Sequence, residues 1–74
     1  MTKLERDQIN FSTFVLYRLA DHWGRSVPDT YHILDKANAI EGYLIPGYDM
    51  LHTLGSEYLV NDLTDYVQEQ GITV

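Results

Sequence analysis

The residues best suited to chemistry lie in one short stretch of the second half of the chain. Asp49 and His52 are three positions apart, which places both side chains on one face of a helix, and Ser56 follows four positions later. A carboxylate, an imidazole and a hydroxyl in this arrangement invite comparison with a catalytic triad or a metal site. A second pair, His32 and Asp35, has the same spacing but no third group to join it.

The spacing of these residues does not favour catalysis or metal binding. A di-metal site in a helical bundle needs carboxylate-x-x-His pairs from two helices, and a zinc site needs three or four converging ligands. The three histidines match no compact zinc motif, and the chain has no cysteine. Ser56 follows Gly55 and is better explained as a helix cap than as a nucleophile. Since phosphate-binding loops and nucleophile elbows are also absent, we expect no catalytic, cofactor-binding or metal-binding residues and no enzyme.

The first predicted element is a long amphipathic helix. Thr2 and Glu5 have the spacing of a capping box, and an apolar stripe continues from there to Gly24, which predicts the end of the helix. Apolar residues recur at helical spacing along one face. The residues predicted to face inward are Phe11, Val15, Leu16, Leu19, Ala20 and Trp23.

A second helix is predicted over residues 27–36. Ser26 is a favourable N-cap, and Pro28 is tolerated only in the first turn of a helix. The residues predicted to face inward are Val27, Tyr31 and Leu34. Asn38 with Glu41 offers a further capping pair after this helix.

The segment from residue 40 to residue 55 is predicted to form two short helical pieces, because Gly42, Pro46 and Gly47 interrupt an otherwise apolar run. Gly55 is predicted to end the second piece in a left-handed conformation, and Ser56 to cap the last helix. The first piece would contain Tyr43, Leu44 and Ile45, and the second Tyr48, Met50, Leu51 and Leu54.

The last predicted helix is amphipathic and ends at Gly71. Its inward stripe is predicted to be Leu59, Leu63, Tyr66 and Val67, and its polar face Asn61, Asp65, Gln68 and Glu69. No hairpin turn and no sustained alternation favours strands. Residues 1–74 are therefore predicted to form a single domain, a compact all-α bundle of four to five short helices with a long amphipathic first helix.

Charge is distributed unevenly along the chain. The net charge is −6, and the last basic residue is Lys36, up to which five basic and five acidic residues balance. The six acidic residues that follow are Glu41, Asp49, Glu57, Asp62, Asp65 and Glu69. Such a surface repels phosphate backbones and anionic lipids, so we expect no nucleic-acid or membrane partner. Residues 1–10 are polar and no stretch is long and apolar enough to span a membrane, so we expect a cytoplasmic location. The acidic half is either a solvated surface or a docking face for a basic partner.

The segment from Tyr48 to Gln70 resembles a family of small bacterial proteins of unknown function. These proteins carry the pattern Tyr-x-x-Leu-His-x-x-Gly-x-x-Tyr-x-x-x-Asp-Leu/Ile-x-x-Tyr near the C-terminus. The matching positions are Tyr48, Leu51, His52, Gly55, Tyr58, Asp62, Leu63 and Tyr66. Family members are often encoded beside domains that resemble ADP-ribosyltransferase toxins, so the resemblance implies an antitoxin or accessory role. The chain departs from the usual pattern at Pro46-Gly47, just before the motif.

Several of these residues allow both a structural and a functional interpretation. His52 either bonds locally to anchor a turn between helices or belongs to a site. The tyrosines complete a small core or, if exposed, favour binding, because tyrosine is common at interface hot spots. Asp62, between two inward leucines, is better explained as the partner of a tyrosine hydroxyl or of a helix N-terminus than as a catalytic acid.

The leading functional prediction is a non-catalytic protein-binding module, an antitoxin-like or regulatory partner of a neighbouring gene product. Its partner would be another protein with a basic face, and a homodimer is the main alternative, burying the first helix or the Tyr66 stripe across a two-fold interface. A phage-type acidic inhibitor is a further alternative within the binding class. The candidate interaction residues are Tyr48, Asp49, His52, Glu57, Tyr58, Asp62, Asp65 and Glu69.

Overall fold

The computed structural model describes residues 1–74 and contains helices and turns without strands. The elements are α1 (Lys3–Trp23), α2 (Val27–Lys36), a π-helical turn (Ile40–Leu44), α3 (Tyr48–Leu51) and α4 (Ser56–Glu69). The predicted all-α fold is confirmed, as is the long first helix. None of these helices combines the length and the hydropathy that crossing a bilayer requires.

Local signals fix both ends of α1. The Thr2 hydroxyl accepts the Glu5 backbone N–H at 3.1 Å, and the Glu5 carboxylate accepts the Thr2 backbone N–H at 3.3 Å. This reciprocal pair is a capping box. At the other end Gly24 has a φ of 64°, the left-handed conformation that commonly ends helices and that glycine adopts without strain. The predicted start and end of the first helix are therefore confirmed.

The core forms along one side of α1, which packs against α2, α4 and the π-helical turn. Helix α1 has 21 residues and, at about 1.5 Å per residue, spans about 31 Å, close to the 34 Å length of the molecule. The buried apolar residues are Val15, Leu19, Ala20, Leu34, Ala37, Ala39, Leu44, Leu51, Leu59, Val60, Leu63 and Val67. Phe11, Leu16, Trp23 and Tyr66 are half-buried against this core. The inward stripes predicted for the first and last helices are confirmed.

Two long-range hydrogen bonds hold the ends of the helices together. The Trp23 indole N–H donates to the Thr64 hydroxyl at 2.9 Å, joining the end of α1 to the middle of α4. The Gln70 side-chain amide donates to the Ala37 carbonyl at 3.0 Å, joining the end of α4 to the end of α2. Both bonds satisfy polar groups at the edge of the core.

The inward face of α2 differs from the prediction. Tyr31 is 46% exposed, with its ring edge against His32 at 6.1 Å, whereas Thr30 is fully buried. The Thr30 hydroxyl donates to the Ser26 carbonyl at 2.9 Å, which allows a polar side chain to face the core together with Leu34, four residues later. The prediction that Tyr31 faces inward was wrong. Thr30 faces the core instead, because its hydroxyl is hydrogen-bonded to the Ser26 carbonyl.

The two junctions after α2 also differ from the prediction. Asn38 does not cap a helix but has a φ of 54°, a left-handed conformation that asparagine tolerates. Gly55 is not left-handed; its φ of −68° and ψ of 148° are those of an extended N-cap, and Ser56 is the first residue of α4. The predicted roles of Gly55 and Ser56 are therefore wrong. Residues 52–54 form a turn after α3, so no left-handed residue is needed to end that helix.

The unoccupied cap of α4 gives a stability prediction. Gly55 has nearly the backbone conformation of the N-cap Ser26, no side chain caps α4, and a Cβ at Gly55 would meet nothing within 4 Å. We expect Gly55→Ser to raise the free energy of unfolding by about 0.5–1 kcal/mol, since a hydroxyl can accept a free N–H of the first turn. Urea unfolding followed by circular dichroism at 222 nm measures the change.

Gly55→Ala is the matched control. It restricts the unfolded chain as serine does but cannot accept the helix N–H groups, so the serine variant should be more stable than the alanine variant by about 1 kcal/mol. Equal stability of the two variants would contradict the capping explanation.

Candidate functional site

An apolar groove opens on the surface between the π-helical turn and α3. Its volume is about 310 Å³, and its walls are formed by Gly42, Tyr43, Pro46, Gly47, Met50 and Leu51. We call it the Tyr43–Met50 groove. Met50 is 71% exposed on its wall, whereas Leu51 is largely buried beneath it. An open, mostly apolar concavity on a small acidic protein is a typical binding feature.

The groove lies where one helix type gives way to another. A π-helical turn precedes Pro46-Gly47, and the α-helix α3 follows it. The Ile45 N–H donates to the Ile40 carbonyl at 2.9 Å, the five-residue separation of a π-helix. Single π-helical turns are rare in proteins and are frequent at functional sites. Proline cannot continue this hydrogen-bond ladder, so a new helix begins at residue 48.

Gly47 is required for the close approach of the two walls. Its N–H donates to the Tyr43 carbonyl at 3.1 Å. A Cβ at this position would lie 2.9 Å from that carbonyl oxygen and 2.8 Å from the Leu51 side chain. The Tyr43 carbonyl and the Leu51 side chain therefore lie too close to Gly47 for any residue with a Cβ to fit there.

Tyr43 joins the groove to α4. Its hydroxyl donates a hydrogen bond to Asp62 Oδ2, and its ring lies 5.3 Å from the ring of Tyr66. Burial of the hydroxyl, followed by the hydrogen bond to the Asp62 carboxylate, raises the pKa of Tyr43 well above its ordinary value near 10. The expectation that Asp62 pairs with a tyrosine hydroxyl is confirmed, and the tyrosine is one that sequence reasoning had assigned only to a short helix.

Four of the sequence-derived candidates share one face of α4. Tyr58, Asp62, Asp65 and Glu69 follow one another at steps of four, three and four residues, which aligns them along the helix. Tyr58 is 57% exposed, Asp65 and Glu69 are exposed, and Asp62 is half-buried. We call these four residues the acidic face of α4. Through Asp62 this face meets the Tyr43–Met50 groove.

Tyr48 and His52, two of the candidate residues, contact each other at the end of α3. The Tyr48 ring stacks on the His52 ring at 4.5 Å and meets Phe11 edge-on at 5.5 Å. His52 Nδ1 lies 2.6 Å from the Tyr48 carbonyl oxygen, which confirms the local bonding interpretation of this histidine. Asp49 is exposed, and no three histidine, aspartate or glutamate side chains are grouped so that they could hold a metal ion.

Glu57, the remaining candidate, lines a different cavity. This cleft of about 430 Å³ lies between α1 and the start of α4, and its walls are polar apart from Val60. Arg18 and His22 face it together with Asp21 and Glu57, so acidic and basic groups are mixed. The cleft is larger than the groove, but its lining has no strong net charge and one hydrophobic residue, and the groove is the better candidate for an apolar binding site.

The residues of the groove itself were missed by sequence reasoning. Tyr43 and Met50 had been assigned to the two short helical pieces, without a role in binding. The available signal was Pro46-Gly47, a helix-breaking pair inside an apolar run. Such a pair leaves apolar side chains on either side without a continuous helix to bury them.

An all-helical chain with an apolar groove and no grouped metal ligands belongs to the broad class of small helical domains. Residues 10–70 match the model of the family described as protein of unknown function, DUF3791, and the chain belongs to this family. Comparison with curated proteins and with solved structures finds no match for the chain.

The Tyr43–Asp62 hydrogen bond predicts a dependence of stability on pH. Because the pKa of Tyr43 is higher in the folded than in the unfolded chain, its contribution is complete below pH 10 and is lost as the pH rises beyond that value. We expect Tyr43→Phe to lower the free energy of unfolding by about 1–2 kcal/mol at pH 7. Above pH 10 the difference between the wild type and the variant should shrink. Urea unfolding at pH 7, 10 and 11 measures both effects.

Tyr58→Phe is the control for this experiment, because the exposed Tyr58 hydroxyl makes no side-chain hydrogen bond to Asp62. Its stability should stay within about 0.5 kcal/mol of the wild type at pH 7. A loss as large as that of Tyr43→Phe would show that the bond to Asp62 is not the cause.

Gly47→Ala is expected to lower the free energy of unfolding by about 1–3 kcal/mol, the usual cost of inserting a methyl group into a closely packed site. The matched control is Gly42→Ala in the same groove. Its Cβ would meet only the movable Asn38 side chain closely, at 3.0 Å, and alanine favours a helix more than glycine does, so this variant should be as stable as the wild type or more stable by up to about 1 kcal/mol. Thermal unfolding of the two variants is the measurement. A loss of stability in Gly47→Ala but not in Gly42→Ala would support the close packing at Gly47.

Proposed function

We propose that this chain is a cytoplasmic, non-catalytic protein-binding module that acts through the Tyr43–Met50 groove and the acidic face of α4. The observation that carries the proposal is the contact between these two surfaces, made by the hydrogen bond from Tyr43 to Asp62. An apolar surface bordered by polar and charged groups has the composition of many protein interfaces, with an apolar centre and a polar rim.

The charge distribution supports a basic partner. No lysine or arginine follows Lys36, so the carboxylates of the acidic face have no cation near them in sequence. Complementary charge accelerates association and excludes acidic partners, whereas the buried apolar centre supplies most of the affinity. A basic partner protein fits both requirements.

The biological role proposed for this binding is that of an antitoxin-like or regulatory partner of a neighbouring gene product. An acidic module could mask a basic cleft of a toxin domain and so block its access to substrate. The support for this role is the resemblance of residues 48–70 to proteins encoded beside toxin-like domains, together with the acidic, groove-bearing surface.

A second candidate function, self-association, is favoured by a separate observation on α1. Phe14 and Tyr17 lie three residues apart on the outer side of this helix and are 51% and 58% exposed. Aromatic side chains contribute strongly to interfaces, and a two-fold dimer would pair this face of α1 with the same face of a second copy. In that case the outer faces of α1 from two copies would pack against each other, away from the groove.

The two candidates are separated by mass in solution. The chain is measured alone and with the product of the adjacent gene by light scattering coupled to size exclusion, at about 0.05 M and 0.5 M salt. A binding module gives a heterocomplex that weakens at high salt. A homodimer that is lost in Phe14→Ser/Tyr17→Ser and ignores the neighbour would overturn the proposal in favour of self-association.

Charge reversal on α4 tests the surface directly. Asp65→Lys/Glu69→Lys should weaken the heterocomplex by about tenfold or more at low salt, because both carboxylates are exposed and would become repulsive toward a basic partner. Asp62 is left unchanged, since its loss would also break the bond to Tyr43. Isothermal titration calorimetry gives the dissociation constants.

The control is Asp21→Lys/Asp35→Lys, which changes the net charge by the same amount. Both residues are exposed and lie in the last turns of α1 and α2, where lysine is compatible with the helix dipole. This variant should bind within about threefold of the wild type. Equal weakening by both double variants would mean that net charge, and not the acidic face of α4, controls binding.

A further inference from the structure

We infer that the Tyr43–Met50 groove recognises one large apolar side chain that lies beside an arginine or lysine in a segment of the partner, with Asp62 receiving the cation. This inference rests on the proposed protein-binding function and specifies the chemistry of the partner. It commits to a basic-apolar segment of another protein, and a second copy of this chain is not the expected occupant.

The groove is small and open, which favours a short segment centred on one apolar side chain over a whole helix face. Its volume of about 310 Å³ is at the lower end of the range for ligand pockets, about 300–1,000 Å³. Two of its lining residues are glycines, which have no side chain to project into the groove, and Met50 is an adaptable wall that is mostly exposed. A leucine, methionine or phenylalanine side chain matches this combination of size and polarity.

The charge next to the groove selects for a cation. Tyr43 donates to Oδ2 of Asp62, and a carboxylate has further lone pairs that can accept from a guanidinium or ammonium group. No charged side chain lines the groove itself, so Asp62, bonded to the lining residue Tyr43, is the carboxylate next to it. An apolar anchor with a positive neighbour would compensate this charge, and an acidic neighbour would be repelled.

The walls of the groove are held in place before any partner arrives. The Gly47 N–H bonds the Tyr43 carbonyl at 3.1 Å, and the Leu51 N–H bonds the Gly47 carbonyl at 2.8 Å. The Tyr43 side chain is fixed by Asp62 at its hydroxyl and by the Tyr66 ring at its side. A site that is already ordered loses less conformational entropy on binding, so a short segment can be recognised.

The test is a selection of random twelve-residue peptides displayed on phage against the full-length chain. Enriched peptides should carry a large apolar residue within two or three positions of arginine or lysine. Their dissociation constants, measured on synthetic peptides, should rise by about three- to tenfold for Met50→Gln and for Asp62→Asn. Met50→Gln replaces an exposed apolar wall, and Asp62→Asn keeps an acceptor for Tyr43 while removing the charge.

Asp21→Asn is the matched control, since it removes one exposed carboxylate that lines the other cleft, between α1 and α4, and should change the affinity by less than about twofold. Circular dichroism confirms that each variant is folded. Chemical-shift changes on adding a selected peptide to the wild type should centre on Gly42, Gly47 and Asp62. Selected peptides that lack basic residues, shifts centred on α1, or enrichment that is equal on wild type and Met50→Gln would each overturn the inference.

The same variants distinguish this inference from the proposed function. A heterocomplex that is weakened by Asp65→Lys/Glu69→Lys but unaffected by Met50→Gln and Asp62→Asn would retain the binding module and overturn the groove inference. Failure to form any heterocomplex would overturn the proposed function itself.

Discussion

Burial of one side of α1 is the constraint on which the other elements depend. A chain of 74 residues has few large apolar side chains to spare, and α2, α4 and the π-helical turn all pack against this one helix. Val15 and Leu19 are at the centre of the shared core. Because α1 extends almost the full length of the molecule, the remaining helices can be short and still contact it. The surface left over on the far side of α1 carries exposed aromatic rings that the core had no room to bury.

The small size of the core also explains the position of the groove. The chain between α2 and α4 contacts the first half of α1 at Gln8 and Phe11, and it consists of a π-helical turn, a Pro-Gly break and a single turn of α-helix. Each of these elements is too short to bury its own apolar side chains fully. The polar bond from Tyr43 to Asp62 ties this irregular segment to the regular helix α4. An irregular connection thus combines an apolar surface with a fixed carboxylate.

The parts of the fold that could be predicted are those determined by local signals. Capping by Thr2 and Ser26, the left-handed glycine at position 24 and the apolar stripe of α4 all act within one or two turns, so sequence spacing is sufficient to find them. Gly55 was assigned wrongly because glycine is common both after helices and, less often, before them, and the choice depends on tertiary packing. The burial of Thr30 in place of Tyr31 likewise depends on how α2 packs against its neighbours, which the spacing of apolar residues does not reveal.

The candidate site was only half visible in the sequence. The acidic face of α4 follows from helical spacing, and the pairing of Asp62 with a tyrosine was expected from its position between two leucines. Which of six tyrosines would be the partner could not be read from spacing, because Tyr43 and Asp62 are 19 residues apart and meet only in the folded chain. The groove needs the π-helical turn, which has no reliable sequence signature.

Trp23 gives the molecule an optical property of its own. It is the chain's only tryptophan, and its indole N–H is bonded to Thr64 of α4 at the edge of the core. The emission spectrum of the protein therefore reports the docking of one helix on another, at a place away from the residues that line the groove. An event confined to the groove leaves this signal unchanged, whereas separation of α1 from α4 exposes the indole to water and shifts its emission to longer wavelength.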